Sequence, residues 1–135
     1  MNTKSIQKQI IKKDFNNAYN ELCKNHYTFN FDDLKRDFPK INSQTMYIFL
    51  MYAISINEDV EKHLAICYYL YFIPPYILGA DSLIRWHLMK ALDISPYDER
   101  VLKHWIFGIY AGNPDVPFSE KELQDYSDRL SKIEQ

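Results

Sequence analysis

Glycine is scarce: three in 135 residues. Few positions can therefore take a positive φ, which weighs against tight β-hairpins. Cysteine is rarer still, with only Cys23 and Cys67. Each falls in a predicted helix at a position reading as core, so both are expected as reduced thiols in a cytosol. Long apolar runs are missing. Met46 to Ile56 and Leu64 to Ile73 are the greasiest stretches, and each falls short of the roughly 20 residues a membrane span needs. The start, Met-Asn-Thr-Lys-Ser-Ile-Gln-Lys, is basic but has no apolar run behind it, unlike a secretion signal. A cytoplasmic protein without a membrane partner is expected. There is no excess of positive charge: the net charge is −2 and the pI about 6.1. That argues against nucleic-acid binding by bulk electrostatics. Glycine-rich phosphate loops, nucleophile elbows and paired metal-ligand motifs are lacking too, so no cofactor, no metal and no enzymatic activity are expected.

What is present is apolar and aromatic. Hydrophobic residues make up 47%, charged residues 25% and aromatics 16%, with eleven tyrosines. This composition excludes disorder, and the length suits one domain over residues 1–135. Leu64 to Ala80 carries no charge and is cut by Pro74-Pro75. A helix does not pass a double proline unbroken, because both amides lack a donor and both rings crowd the preceding turn. One helix is expected to end at Ile73 and a second to start at Pro75, with the corner between them in the core.

Taken in order, Ile6 to Asn25 reads as one amphipathic helix with Ile11, Phe15, Ala18 and Leu22 inward and Lys8, Lys12 and Lys13 in water. Asn30 or Asp32 caps a short helix through Leu34 to Phe38, which Pro39 ends. Asn42-Ser43 opens a helix from Gln44 to Ile56 that is apolar on almost every side and so expected to be enclosed. Asn57 caps the next, running to Ile73, with Val60, Leu64, Cys67, Tyr68 and Tyr71 in one stripe. Pro75 to Asp93 gives the longest helix, on which Asp81 and Arg85 form an i,i+4 pair. Ser95-Pro96 starts another, carrying Val101, Leu102, Trp105, Ile106 and Ile109 on one side, and Gly112 with Pro114 stops it. Ser119 and Glu122 form a capping box before a last, surface-lying helix with Leu123, Tyr126, Leu130 and Ile133 inward. No segment alternates with period two. The expected fold is all-α: a bundle of about six helices in stacked antiparallel pairs, with a central hairpin at Pro74-Pro75.

Few polar constellations compete for function. His63 and Cys67 stand four apart, a metal-ligand spacing with no second pair to complete it, so they read as a surface histidine beside a core thiol. Apolar neighbours deny Cys67 the electropositive setting a nucleophile needs. Asp81, Arg85 and His87 around Trp86 form either a surface ion pair or a binding rim. His104-Trp105 lies near Tyr97 and Glu99, with Trp105 reading as core. The surplus of tyrosines leaves some hydroxyls at the surface, where Tyr beside apolar residues favours recognition. The tail holds Asp115, Glu120, Glu122, Asp125, Asp128 and Glu134 against three cations, and an acidic helix attracts a basic partner.

In general character over its full length, the chain resembles the small immunity proteins of bacterial toxin systems, the contact-dependent inhibition and polymorphic-toxin class. The shared traits are a compact, aromatic-rich, mildly acidic domain and Ile/Asn/Lys/Tyr-rich usage. The resemblance implies a function: binding a cognate toxin domain, often a nuclease and so basic, and occluding its active site. Asp115, Glu120, Glu122, Asp125, Asp128, Asp81, Arg85 and Tyr97 are the residues expected to meet it. A second similarity is local. Ala91-Leu92-Asp93-Ile94-Ser95-Pro96-Tyr97-Asp98 is similar to the closing pattern of tetratricopeptide repeats and suggests a helical adaptor that binds a peptide along a face lined by Tyr and Asn. An enzyme would need a pocket where His63, His87 or His104 meets a carboxylate.

Overall fold

A computed structural model describes all residues, 1–135, as eight helices with no strand. They are α1 (Thr3–Ile11), α2 (Phe15–Lys24), α3 (Phe31–Asp37), α4 (Ser43–Ile56), α5 (Val60–Phe72), α6 (Ala80–Ile94), α7 (Arg100–Ile109) and α8 (Glu120–Ile133). The all-helical class follows the sequence reading. The number of helices exceeds it, chiefly because the first long helix is two. Lys13 takes φ 63°, in the left-handed region, and breaks the chain between α1 and α2. Ile6 and Ile10 then face the core with Ala18, Tyr19 and Leu22, while Ile11 is 50% exposed. Cys23 is exposed as well, against expectation; Cys67 is buried.

Local capping chemistry sets several boundaries. The side chains of Asn30 and Asn42 accept the Asp33 and Thr45 amides and start α3 and α4. At Ser119 both bonds of the capping box form. Two expected caps shift. Asp59 rather than Asn57 starts α5, its carboxylate accepting the Lys62 N–H at 2.9 Å and the Lys62 ammonium at 2.7 Å. Asp98 rather than Ser95 accepts the Arg100 and Val101 amides at the head of α7.

α7 is wound as a π-helix, closing with the Tyr110 N–H on the Trp105 carbonyl five residues back. A Cβ at Gly108 would stand 3.0 Å from the Lys103 carbonyl oxygen, so a side chain there crowds the wide turn. The winding keeps Val101, Leu102, Trp105 and Ile106 fully inside.

The α5–α6 hairpin is the centre of the bundle, with α4 against α5 on one flank and α7 and α8 closing the other end. Its turn differs from the expectation. The Pro74–Pro75 peptide is cis, and α6 begins only at Ala80, after Gly79 turns the chain at φ 81°. The Ser43 hydroxyl donates to the Pro75 carbonyl at 2.6 Å and the Ser43 N–H to the Pro74 carbonyl, tying the turn to the head of α4. Held at that edge, the turn lies outside the core: Tyr76 is 68% and Leu78 101% exposed. α4 is also less enclosed than its composition implies. Met46, Phe49, Leu50 and Ala53 are buried, yet Ile48 and Ile56 meet solvent.

Inside the hairpin, His63 and His87 are both fully buried, which corrects the reading of His63 as a surface residue. Their Nδ1 atoms are 2.8 Å apart, and His63 Nε2 lies 2.6 Å from the Glu58 carboxylate. A carboxylate only accepts, so in the neutral pair His63 Nε2 carries its proton and His63 Nδ1 accepts from His87 Nδ1–H. His87 Nε2 is then a bare, unpartnered nitrogen in a dry site. Burial, with His63 adding to it, lowers the His87 pKa to about 3.

Candidate functional site

The main concavity is a groove of about 920 Å³ between α3, α5 and α7. α5 supplies its floor: Glu61, Leu64, Ala65, Tyr68 and Phe72 recur at helical spacing on one side. Phe31, the first residue of α3, stacks on Tyr68 with centroids 4.9 Å apart and planes 19° from parallel. Phe72 continues the stack at 6.1 Å and 22°, and buried Trp105 supports Tyr68 edge-on at 4.9 Å. The result is a half-exposed aromatic ladder with a rigid back. Burial raises the Tyr68 pKa, keeping its hydroxyl protonated.

The rim is charged. Asp32 and Asp33 occupy the first turn of α3, where the helix dipole favours negative charge. Asp33 is engaged by Asn30 and Arg36, whereas Asp32 makes no ion pair. On the opposite bank Arg100 reaches both Glu61 and Asp98, joining α5 to α7, and these two carboxylates raise its pKa. His104 lies one turn further along α7, its ring 6.1 Å from Tyr68. Of the three carboxylates lining the groove, Asp33 is paired with Arg36 and Glu61 with Arg100, which leaves Asp32 as the unpaired acid, and Lys35 lies 5.8 Å over the Phe31 ring. A shallower depression extends the groove along α7 through Glu99 and Lys103, and a smaller one extends it past Thr28 toward Tyr19, Tyr27 and Asn57. Chemically, this arrangement can seat a cationic or apolar side chain on aromatic faces under a negative rim.

The residues expected to bind a partner lie elsewhere, and several are already committed. Arg85 does not pair with Asp81. Its two terminal nitrogens each donate at 2.7 Å to the Glu122 carboxylate, and a third bond reaches the Pro117 carbonyl. Asp81 instead accepts the Tyr110 hydroxyl at 2.7 Å. The i,i+4 spacing made the Asp81–Arg85 pair possible, but α8 folds back across α6 and offers the better fork. The guanidinium, with the Ser119 amide, holds Glu122 down to about 2. Asp125 pairs with Arg129 at 2.9 Å, and Asp128 accepts from Gln124. Asp115, Glu120 and Tyr97 remain exposed and apart from the groove.

Of the groove residues, the sequence reading placed Leu64 and Tyr68 in an inward stripe, Asn30 or Asp32 at a helix cap and His104 beside a core tryptophan, and none of them in a cleft. One signal was present. Glu61, Ala65, Tyr68 and Phe72, spaced four, three and four, form a second stripe on α5 beside the buried one. His63 does meet a carboxylate, but in the dry hairpin interior, where no groove reaches it.

No group of three or more histidine, cysteine or acidic side chains converges as a metal site. No helix is long and apolar enough to cross a membrane. No family model, curated protein or solved structure matches the chain.

Proposed function

We propose that this chain is a partner-binding domain of the immunity type, which holds a basic toxin domain through the α3–α5–α7 groove and so occludes that toxin's active site. The observation that carries the reading is the Phe31–Tyr68–Phe72 ladder beneath the Asp32, Asp33 and Glu61 rim. Aromatic anchors over a preformed floor lose little conformational freedom on binding, and a negative rim steers a cationic partner onto them. A nuclease presents such a cationic face to its own substrate, so a groove of opposite sign competes for that face. The exposed acids Asp115, Glu120 and Asp128 add long-range attraction rather than contact.

The test is co-expression with any secreted toxin domain found to be encoded at this chain's locus; the absence of such a domain counts against the reading. The wild type is expected to rescue growth and to co-purify with the toxin, and the Phe31→Ala/Tyr68→Ala double variant to do neither. Rescue by that variant, or loss of rescue in Glu120→Gln/Asp128→Asn instead, rejects the groove as the contact.

The adaptor reading has its own support, because the extended groove is lined by Tyr19, Tyr27, Tyr68, Asn30 and Asn57. It predicts that short basic peptides bind as well as any folded domain. A paired arrangement of helices like that of tetratricopeptide repeats belongs to this second reading. Titration with an arginine-bearing peptide separates the two.

A further inference from the structure

The cations of this molecule are unevenly used. Of the sixteen lysines and arginines, Lys24, Arg36, Lys62, Arg85, Arg100, Lys103 and Arg129 make ion pairs, while Lys35 and Lys90 lie over aromatic rings. Seven remain without either kind of partner, and five of these are Lys4, Lys8, Lys12, Lys13 and Lys40. Lys4, Lys8 and Lys12 recur every fourth residue along α1, opposite the buried Ile6 and Ile10. Lys13 follows directly. Lys40 is brought alongside by its own N–H, which donates to the Gln7 side chain at 3.2 Å.

None of these five lysines forms an ion pair, although Asp14 follows Lys13 directly in the chain. Residues 1–13 contain no carboxylate, nor do residues 38–57, which hold the Lys40 loop and α4; α1 packs against both α4 and α2, and the one carboxylate within α2, Glu21, faces Lys24. The nearest acids in sequence are engaged elsewhere: Asp14 with the Asn17 side chain, Asp37 with Arg36 and the Tyr27 hydroxyl. In a chain of net charge −2 this concentrates positive charge on one face, remote in sequence from the acidic α8.

We infer that the α1 face is a docking surface for an anionic lipid bilayer. Two features favour a bilayer over a nucleic acid. Apolar side chains interleave the lysines, with Met1 54% and Ile11 50% exposed beside them, as in helices that lie in the headgroup plane. The stripe contains no arginine and no aromatic residue, the groups that fork onto phosphates and stack on bases. Lysines on flexible stems act as point charges that snorkel around a shallow apolar contact, which suits a fluid headgroup layer. This surface is separate from the groove and does not depend on it.

The test is co-sedimentation of the full chain with vesicles of phosphatidylglycerol mixed with phosphatidylcholine, and with phosphatidylcholine alone. Binding is expected only to the anionic vesicles and should weaken as salt is raised above about 0.1 M. Lys4→Gln/Lys8→Gln/Lys12→Gln should lose on the order of a hundredfold in affinity. Ile11→Ser should lose several-fold at unchanged charge, and Lys121→Gln/Lys132→Gln, the unpaired lysines elsewhere, should bind as wild type does. The inference is overturned by equal binding to neutral vesicles, by no binding at all, or by an equal loss in the Lys121/Lys132 variant. Tighter binding to duplex DNA than to the vesicles overturns it as well.

Discussion

The groove and the outer face of α8 are both edged with carboxylates, yet the two surfaces are built differently. Beneath the groove rim lies a stacked aromatic floor braced by Trp105. On α8 Glu122 pairs with Arg85 and fastens the helix to the bundle, and Asp125 pairs with Arg129, much as Asp33 pairs with Arg36 and Glu61 with Arg100 at the groove, but no stacked aromatic floor lies beneath them. Charge over solvated helix acts at a distance and is screened by salt, whereas charge around a dryable aromatic floor can give contact energy. Carboxylates alone do not mark a cleft: at the groove they edge a stacked aromatic floor, and on α8 they edge solvated helix.

Removing the brace under the groove floor is the largest perturbation. Trp105→Ala should cost about 3–5 kcal/mol of stability, the range for emptying a large aromatic site, and should collapse the groove floor while leaving the α8 capping box intact. Chemical denaturation with a near-ultraviolet signal from Trp86 measures the first. A loss under about 1 kcal/mol would mean that the floor does not rest on Trp105.

Acid acts on the hairpin interior next. The folded-state pKa of His87 lies near 3, against 6.5 unfolded. Between these values the unfolded chain binds the extra proton, so stability rises with pH there. The contribution is complete above about 6.5 and is lost toward pH 3, by at most about 1.4 kcal/mol per pH unit. Urea midpoints across that range should show this slope, and His87→Phe should flatten it. An unchanged slope in the variant would place the titrating group elsewhere.

Tyr68→Ala sharpens the contrast on the binding side. It should cost about 2 kcal/mol in partner affinity, while Glu120→Gln should cost only tenths of a kcal/mol and lower the on-rate in low salt. Equal effects of the two would erase the difference between the surfaces.

The α8 fastening is weaker again. Glu122 is held near 2 against 4.5 unfolded, so its contribution is present above about 4.5 and is lost as pH falls through 2. The pair is partly exposed, and after allowance for solvent screening Glu122→Gln should cost about 1–2 kcal/mol at neutral pH. Hydrogen exchange should then quicken in α8 and leave the groove helices unchanged.

Part of this architecture is written locally. Asn30, Asn42 and Ser119 start helices because a short polar side chain satisfies amides two or three residues on, and Gly112 turns the chain at φ 71° just beyond the end of α7. Such decisions need only neighbours in the chain, so the sequence alone fixes them, along with the absence of strands and the inward stripe through Val101, Leu102, Trp105 and Ile106.

Other features depended on what packs against what. Ile11 fits the amphipathic pattern as well as Ile10 does, and only the turn at Lys13 places one inside and the other in water. Arg85 had an acid in reach at Asp81, and the return of α8 gave it Glu122, 37 residues away, leaving Asp81 to Tyr110. His63 and His87 carry no joint signal in sequence, being 24 residues apart on facing helices. The groove is the clearest case. Its side chains are ordinary members of three helices, and the cleft exists because α3 and α7 approach α5 without closing over Tyr68. Local chemistry determined where α3, α4 and α8 begin; the break at Lys13, the late start of α6, and the spaces between helices that make the groove were decided by tertiary packing.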